Sequence, residues 1–355
     1  MNSNSVRVLT TLQQLKSIKS SWLKLEKIAQ VKSVFNSYDW VETWATHYQE
    51  YIEKLLIFTY WKDDELCCLI PLYVKPKCPY LAFYISSYEP AEIETCSEAQ
   101  DFMSLSHDTL IPPSLFIHNM FVERVRQIRF SNVSSSSFLF SWLEKVGGFK
   151  SYRRSRVRFC VKGTEGLSIL ERKTRRNRKA AEKCNMTVKK VARVEEFYFI
   201  FEELVRLNSK RWLSKGLPAI FLNEPFLSFH RELAEKLLTN NLLSLYYLQF
   251  NEQIIAVNYG VVSGDNIIFY QNGVDTEFKP NVSPGMILHL AQINEAMESG
   301  YKAYDLMSSS DEKSYKSRFA NYSEDVFNVI YSPSAFQIVI CAVFKFFSFI
   351  KDKLS

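Results

Sequence analysis

Residues 55–70 read LLIFTYWKDDELCCLI and residues 242–257 read LLSLYYLQFNEQIIAV, so a related pattern returns at a constant offset of 187 residues. In each stretch, two β-prone runs flank a short polar segment, a pattern that predicts a β-hairpin. An aromatic, helix-like stretch precedes each hairpin, at Tyr38–Leu56 and at Pro225–Leu238, and the asparagine two residues before each stretch is its predicted cap. The repeat predicts a chain of two related halves.

The second half predicts alternating helices and strands. Ser168–Glu171 has the form of a capping box and predicts a helix that continues to about Lys183. The other predicted elements are a strand at Thr187–Val191, a helix at Val194–Leu213, the hairpin, a strand at Asn266–Gln271, a helix at Pro284–Ser299 and a strand at Tyr301–Met307. A strand–helix–strand crossover of this length implies parallel pairing inside a mixed sheet, so we expect an α/β or α+β fold.

Composition places the chain among ordinary globular proteins. Its 355 residues are 47% hydrophobic and 23% charged, which excludes wholesale disorder and coiled coil and suits two domains. The net charge is +6, but residues 172–190 contain nine Lys or Arg and one Glu. The basic charge therefore belongs to one segment, which favours one anionic contact over a general nucleic-acid coat.

Cysteines and chain ends bear on location. The seven cysteines include no C-x-x-C pair, which predicts reduced thiols and no metal site. The N-terminus lacks the pattern of a secretory signal, so we expect a cytoplasmic protein. Ala335–Ile350 is a 16-residue apolar run, too short to cross a bilayer. We expect it to be a helix that either docks on the core or touches the inner face of the membrane.

The first candidate site follows the strand that contains Tyr270, Gln271 and Asn272. After a polar loop, a helix opens with Ser283, Pro284 and Gly285. Free backbone N–H groups at a helix N-terminus form a seat for a phosphate or pyrophosphate. Ser-Pro-Gly also opens many ordinary helices, so the pattern alone leaves both interpretations open.

The second candidate site follows the last predicted strand. Asp305 lies near the C-terminal end of that strand, where ligands collect in open α/β sheets. Tyr315 and Lys316 would face the same crevice if a short helix follows, and Lys313 lies just before them. The same residues would also suit a solvated helix with its caps.

Taken together, these motifs resemble the GNAT superfamily of acyl-CoA N-acyltransferases. Within it they resemble the duplicated branch, the CelD-like acetyltransferases of cellulose and envelope-polysaccharide biosynthesis, related to BioF-like and Fem proteins. The resemblance covers about residues 30–330. It rests on Phe35-Asn36, Trp40, Ile70-Pro71-Leu72, Arg211-Trp212, Ile255-Ala256, Tyr270–Asp275, Pro284-Gly285, Gly300, Asp305 and Tyr315-Lys316. The Gly-rich pyrophosphate loop of simple GNAT proteins is missing, and Ser308–Ser310 replaces a glycine-rich stretch.

The resemblance implies a duplicated GNAT fold with a degenerate half at 1–160, an acetyltransferase half at 161–333 and the apolar helix at 334–355. It implies acetyl-CoA or another acyl-CoA as co-substrate, held at Tyr270, Gln271, Asn272, Ser283, Pro284 and Gly285. An amine attacks the thioester directly, with no metal. The candidate base is Asp275 or Asp305 and the candidate acid is Tyr315. The expected acceptor is an amino sugar or a precursor of a cell-surface polysaccharide.

The basic segment and its neighbours supply the candidate substrate contacts, which are Arg175, Arg178, Arg211, Trp212, Lys313 and Lys316. The basic helix could hold a nucleotide-sugar pyrophosphate, a lipid-linked phosphate or, as in Fem-type aminoacyl transferases, a charged tRNA. Residues 172–190 lack aromatic side chains for stacking on bases, which weakens the case for tRNA. The basic helix could also be a plain solvated surface, and the chain could be a binding protein that has lost its chemistry.

Overall fold

The computed structural model describes residues 4–278 and 282–334. In the first part of the chain, an antiparallel hairpin is followed by a crossover in which a helix connects two parallel strands. In chain order these elements are β1 (Asn4–Leu9), α1 (Leu12–Ser17), α2 (Lys19–Ile28), α3 (Tyr38–His47), β2 (Lys54–Lys62), β3 (Glu65–Val74), β4 (Leu81–Tyr84), β5 (Met103–Ser104), α4 (Pro113–Val122), β6 (Gln127–Ser134), α5 (Phe138–Lys145) and β7 (Phe149–Lys162).

The rest of the chain repeats the hairpin and the crossover, with a longer crossover helix. These are α6 (Gly163–Lys183), β8 (Thr187–Lys190), α7 (Val194–Leu213), α8 (Glu224–Thr239), β9 (Leu243–Phe250), β10 (Gln253–Ser263), β11 (Asn266–Val274), α9 (Pro284–Glu298), β12 (Ala303–Ser309) and β13 (Tyr322–Ser332). Both predicted hairpins, helix α7 and the strand–helix–strand crossover are confirmed. Within the part of the chain that is described, no helix is both long and apolar enough to cross a membrane. The apolar run predicted at 335–350 lies outside the described residues.

The residues form two compact units. The first contains the described residues up to Ser155 and those from Asp325 on, and the second spans Arg156–Glu324. The predicted halves divided the chain at 160/161 and kept residues up to 333 with the second half. The observed division differs because β13, from Asp325 on, pairs with β6 of the first unit.

In the first unit the strand order is β1-β2-β3-β4-β6-β13, with β4 and β6 parallel and the other neighbours antiparallel. One of its cores packs α4 and α5 against the sheet, where Trp142 meets Phe116 edge to face at 4.9 Å between ring centroids. Burial of large aromatic side chains contributes most to such a core.

In the second unit the strand order is β8-β9-β10-β11-β12-β7, again with one parallel pair, β11 and β12. One core joins side chains of α6, α9 and the sheet, among them Leu170, Leu290 and Phe269. Helix α7 packs against β11 at Gly273, where a Cβ atom would stand 2.7 Å from the Cβ of Leu207 and 2.8 Å from the Leu204 carbonyl oxygen. The missing side chain at Gly273 is what lets the helix approach the strand.

The two units therefore share one strand order, and the prediction of a mixed α/β fold in two similar halves is confirmed. The hairpin turns correspond at Asp63-Asp64 and Asn251-Glu252, and all four residues have positive φ, as a type I′ turn requires. This places the turns 188 residues apart, so the constant offset of 187 is wrong by one residue at the turn. The offset of 188 holds along the paired strands as well, because each hairpin has a β-bulge at the matching position, Cys67 in one and Ile255 in the other.

Three predicted helix limits are corrected. Helix α6 begins at Gly163, and the Ser168 hydroxyl donates to the Thr164 carbonyl inside the helix, so the predicted capping box is wrong. Helix α3 ends at His47, because the chain turns into β2 well before Leu56. Its cap is Ser37, which accepts from the Trp40 N–H, whereas Asn36 ends the preceding 3₁₀ turn.

Candidate active site

A cavity of 680 Å³ lies at the C-terminal end of β11 in the second unit. Its volume is within the range of about 300–1,000 Å³ that is usual for small-molecule sites. Five elements form its walls: α6, α7, β11, α9 and the 3₁₀ turn Tyr315–Arg318 that follows β12. The lining residues are Lys173, Arg211, Asn272, Val274, Thr276, Ser283, Gly285, Met286, His289, Tyr315, Arg318 and Phe319.

The N-terminus of α9 forms one side of the cavity. Ser283 stands at the cap position and Pro284 is the first helical residue, but the Ser283 side chain makes no capping hydrogen bond. Asn177 of α6 holds this turn instead, since its Oδ1 accepts from the Ser283 N–H at 2.6 Å and its Nδ2 donates to the Ser283 carbonyl at 3.0 Å. Helix geometry leaves the Gly285 N–H without an intrahelical acceptor, at the positive end of the helix dipole.

Three cations line the cavity: Lys173, Arg211 and Arg318. Arg211 donates to Asn272 Oδ1 at 3.0 Å, which fixes the guanidinium beside the end of β11. Lys173 donates to the Arg318 carbonyl, so α6 is tied to the 3₁₀ turn. No Asp or Glu is among the described lining residues, so the cavity has the electrostatics of an anion site.

Two titratable side chains of other types reach the cavity. Tyr315 is 45% exposed; burial raises its pKa and the charge of Arg211 lowers it by less, so the phenol is protonated at neutral pH. His289 is 4% exposed, and burial together with the charge of Lys316 lowers its pKa to about 3, so the imidazole is neutral. The cavity thus offers a proton donor and an uncharged imidazole among fixed cations.

The structure places Asp305 outside this lining, in a buried ion pair. Arg158 of β7 donates through Nε to Asp305 Oδ2 at 2.7 Å and through Nη1 to Glu324 at 3.1 Å. Asp305 Oδ1 accepts from the Met307 N–H at 2.8 Å, at a bulge where Met307 has a φ of 62°. The Arg158 guanidinium thus ties β7 to Asp305 of β12 and to Glu324 of β13.

The loop and strand residues predicted for the cofactor divide in two. Asn272, Ser283 and Gly285 line the cavity, whereas Tyr270 and Gln271 do not. Tyr270 is buried with its ring 4.8 Å from that of His230. It is the extra residue of a β-bulge in β11, so the alternation of faces is shifted between Phe269 and Asn272. Pro284 is buried at the start of α9.

The carboxylate of Asp275 also lies outside the lining, although its neighbours Val274 and Thr276 belong to it. Asp275 Oδ1 accepts from the Glu277 N–H at 3.0 Å and stands 3.9 Å from Lys210 Nζ. Neither predicted base is therefore among the residues that form the cavity wall.

The predicted substrate contacts are also dispersed. Arg211 and the acid Tyr315 share the cavity, while Arg175, Arg178 and Lys313 are exposed away from it. The remaining two predicted contacts have partners of their own: the Lys215 ammonium stands 5.4 Å above the Trp212 ring, and Lys316 donates to the Ser308 carbonyl at 2.9 Å. Lys316 still acts on the cavity through the field that it exerts on His289.

The sequence patterns did not single out Asn177, His289 or Arg318 as site residues, or Gly273 as the position where α7 approaches β11. Lys173 and Asn177 lie four residues apart on α6, a spacing that places both on one face, but a basic helix gives no sign of which face meets α9. His289 follows Gly285 at the same spacing, so its approach to the cavity was detectable once α9 was predicted. Among the described residues, no three His, Cys, Asp or Glu side chains are grouped as metal ligands.

Comparison with known proteins relates this cavity to a recognised domain. Residues 170–317 match the family model described as an acetyltransferase (GNAT) domain. That stretch includes every residue of the cavity wall except Arg318 and Phe319, which follow it directly. No curated protein is similar enough in sequence to match the chain.

Solved structures share the fold over most of the chain. FemX covers 87% of this chain and 95% of its own at 13% identity, with a TM-score of 0.61. The C-terminal domain of a candidate lysylphosphatidylglycerol synthetase from Agrobacterium fabrum covers 93% and 95% at 12% identity, with a TM-score of 0.56. A Bacteroides thetaiotaomicron protein of unknown function covers 92% and 100% at 12% identity, with a TM-score of 0.52. The chain thus has the fold of FemX, and its second unit carries a stretch similar to the GNAT acetyltransferase domain.

Proposed function

We propose that the protein is an acyl-CoA-dependent N-acyltransferase whose active site is the cavity at the N-terminus of α9. The observation that carries the proposal is the cavity wall, which combines Lys173, Arg211 and Arg318 with the open N-terminus of α9. The match of residues 170–317 to the GNAT acetyltransferase domain supports the same assignment.

The wall suits the phosphates of coenzyme A. The Gly285 N–H and the Arg211 guanidinium would hold a pyrophosphate, because charge-assisted hydrogen bonds to fixed donors suit that group. At Gly285 a Cβ atom would meet nothing closer than Val274 at 3.5 Å, so the ligand can approach the backbone closely. Val274, Met286 and Phe319 offer an apolar surface for the pantetheine arm.

In the proposed reaction the acceptor amine attacks the thioester carbonyl carbon directly. The new C–N bond forms, the C–S bond breaks, and the electron pair stays on sulfur. Tyr315, whose pKa is raised by burial, gives its proton to the thiolate. The nitrogen loses one proton to solvent and Tyr315 regains one, so charge and protons balance. Asp305 is expected to position β12 through Arg158 rather than to act as the base.

The acceptor that we propose is an amino sugar or a precursor of a cell-surface polysaccharide. Support for this class comes from the sequence resemblance to CelD-like acetyltransferases. A cation-lined cavity also suits an acceptor that carries a phosphate, such as a nucleotide-linked sugar.

Calorimetric titration of the full chain with acetyl-CoA tests the proposal. We expect saturable binding that is abolished by Gly285→Glu, because a carboxylate would then occupy the anion seat. Arg211→Ala should weaken binding about tenfold, the equivalent of about 1.4 kcal/mol for one charged hydrogen bond. Lys215→Ala is the matched control, since Lys215 is the next cation near the end of α7 and stacks on Trp212 outside the cavity. Unaltered binding in Gly285→Glu would contradict the assignment.

A Fem-type aminoacyl transferase is the second candidate, favoured by the exposed basic face of α6. This face consists of Arg172, Arg175, Arg176, Arg178, Lys179 and Lys183. If a charged tRNA is the donor, its affinity should fall steeply with salt and should be weakened by Arg175→Glu with Arg176→Glu. Acetyl-CoA should then not bind. If neither acetyl-CoA nor a charged tRNA bound, a binding protein without catalytic activity would be favoured.

A further inference from the structure

His289 is the buried imidazole of the cavity wall. It follows Gly285 by four residues, so the two positions lie on one face of α9. Its ring packs edge to face on Phe269, with 4.5 Å between ring centroids. The rotamer is therefore fixed by packing, and what remains to establish is which ring nitrogen carries hydrogen.

Gln292, one turn further along α9, sets the direction of a buried hydrogen-bond chain. Its Nε2 donates to the Ser244 carbonyl oxygen at 3.0 Å. A backbone carbonyl only accepts, so the amide cannot be turned around, and its Oε1 must face the other way. There Oε1 accepts from Asn258 Nδ2 at 3.1 Å and from the Tyr304 hydroxyl at 2.9 Å.

The same logic fixes the tautomer of His289. Tyr304 has one hydroxyl hydrogen, which Gln292 Oε1 receives, so the Tyr304 oxygen can only accept from His289 Nδ1, 3.0 Å away. Nδ1 therefore carries the hydrogen and Nε2 carries the lone pair. Within residues 4–278 and 282–334, Tyr304 is the hydrogen-bond partner of this imidazole, and Nε2 is left for a ligand.

Among the residues that the structure describes, the charged and titratable groups that share the cavity with His289 or act on its pKa are cationic or phenolic. The charge of Lys316, in the 3₁₀ turn, lowers the pKa of His289, and Tyr304 of β12 is hydrogen-bonded to its ring. The other such groups in the cavity are Lys173, Arg211, Tyr315 and Arg318. Burial and the Lys316 charge oppose a second proton on the ring, whose pKa is lowered to about 3. The same cations oppose a ligand ammonium and favour an uncharged amine.

We propose that His289 Nε2 is the binding group for the reacting amine, accepting a hydrogen bond from its N–H while the cations of the cavity select the uncharged form. The inference rests on the proposed function and deepens it. His289 stays neutral through the transfer: it orients the nitrogen lone pair, and the proton that the nitrogen loses passes to solvent. Tyr304 and Gln292 are positioning residues, because they act through His289 alone.

Nitrogen-15 NMR of the full chain tests the tautomer without any ligand. We expect the His289 Nε2 resonance of an unprotonated ring nitrogen and the Nδ1 resonance of an N–H. His230, buried in the same unit against Phe226 and outside the cavity, is an internal reference. A protonated Nε2 in the free protein would overturn the proposal.

Titration with glucosamine as the probe amine tests the binding role. We expect glucosamine to shift the His289 Nε2 resonance and not those of His230. The apparent Kd should fall about tenfold per pH unit while the pH is below the pKa of the amine, because only the uncharged form binds. Glucose, which has a hydroxyl in place of the amine, should show no such pH dependence.

Tyr304→Phe is the test variant. It removes the acceptor of the Nδ1 hydrogen and also one of the two donors to Gln292 Oε1, which keeps its hydrogen bond from Asn258 Nδ2. It should mix the two tautomers and raise the glucosamine Kd several-fold, with acetyl-CoA binding unchanged. Glucosamine binding that ignores pH, or an Nε2 shift caused by desulfo-CoA and not by glucosamine, would overturn the proposal. Loss of acetyl-CoA binding with the amine response intact would instead refute the proposed function, so the two failures are distinguishable.

Discussion

The segment that follows β4 in the first unit and the segment that follows β11 in the second occupy matching places in one strand order, yet their chemistry is opposite. After β4, the chain buries its own carboxylates: Glu89 accepts from Trp44 Nε1 at 2.6 Å and from the Thr95 hydroxyl at 2.8 Å. After β11, the wall of the cavity carries cations and the open N-terminus of α9.

Helix N-termini differ as well, although α5 follows β6 and the helix at the place that matches α9 is α4. In the first unit the carboxylate of Asp101 accepts from the N–H groups of Phe138 and Leu139, so the start of α5 is satisfied by the chain itself. In the second unit Asn177 holds only the Ser283 backbone, and Gly285 faces the cavity. A shared topology therefore decides where a site can form, while local side chains decide whether an external anion is needed there.

The largest effect should come from Asp101→Ala. Besides the two N–H groups of α5, Asp101 Oδ1 accepts from the Phe102 N–H at 2.8 Å. Leaving three buried donors unpaired should reduce the free energy of unfolding by about 3–5 kcal/mol. Urea unfolding measures this loss, and Asp101→Asn, which keeps the Oδ1 acceptor, should lose about half as much. A fall of less than about 1 kcal/mol in the free energy of unfolding would show that the hydrogen bonds to Asp101 do not stabilise the first unit.

Glu89 should make the first unit less stable as pH rises. Burial raises the pKa of Glu89 to about 7, against the donors Thr95 and Trp44, and the ordinary value is 4.5. The pKa of Glu89 is higher in the folded protein than in the unfolded chain, so its protonated form stabilises the fold. This contribution to the free energy of unfolding, up to about 3 kcal/mol, is complete below pH 4.5 and is lost as pH rises to about 7.

Glu89→Gln should flatten this dependence when urea unfolding is measured at about pH 5 and about pH 8. Some slope should remain, because burial raises the pKa of Asp101 to about 7 as well. If the free energy of unfolding fell equally with pH in the unmodified protein and in Glu89→Gln, Glu89 would be charged in the folded state.

Gly273→Ala should destabilise the second unit by about 1–3 kcal/mol through overpacking. The new Cβ would meet the backbone of α7, 2.8 Å from the Leu204 carbonyl oxygen and 2.9 Å from the Asn208 nitrogen. Pushing α7 away also moves Arg211 from Asn272, so acetyl-CoA affinity should fall together with the midpoint of thermal unfolding. If the variant were destabilised but bound acetyl-CoA with unchanged affinity, the position of α7 would not matter for the site.

Gly285→Ala should have the smallest effect on stability, within about 0.5 kcal/mol. Its Cβ would stand 3.5 Å from Val274 and 3.7 Å from Asn272, ordinary contacts. The methyl group lies on the cavity wall, so calorimetry should show a weaker acetyl-CoA complex in a protein of normal stability. A stability loss as large as that of Gly273→Ala would indicate that the start of α9 is packed rather than open.

Much of the fold was predictable because it depends on local patterns. The hairpins follow from β-prone runs around a short polar turn, and the limits of α7 at Val194 and Leu213 match the prediction. The site was only partly predictable: Asn272, Ser283, Gly285, Arg211 and Tyr315 line the cavity, but Asp275 and Asp305 do not. A carboxylate at a strand end has the same sequence signature whether it faces a ligand or an arginine.

The sequence by itself determined the two hairpins, the parallel crossover and the helix that opens at Pro284, since periodicity and turn chemistry act between near neighbours. Only the tertiary structure decided that Arg158 engages Asp305, 147 residues away, and that Ser244, Gln292 and Tyr304 fix the tautomer of His289. Those outcomes depend on hydrogen bonds between strands and helices that are distant in the chain. No local pattern encodes them, because burial and the supply of partners are settled only when the elements pack.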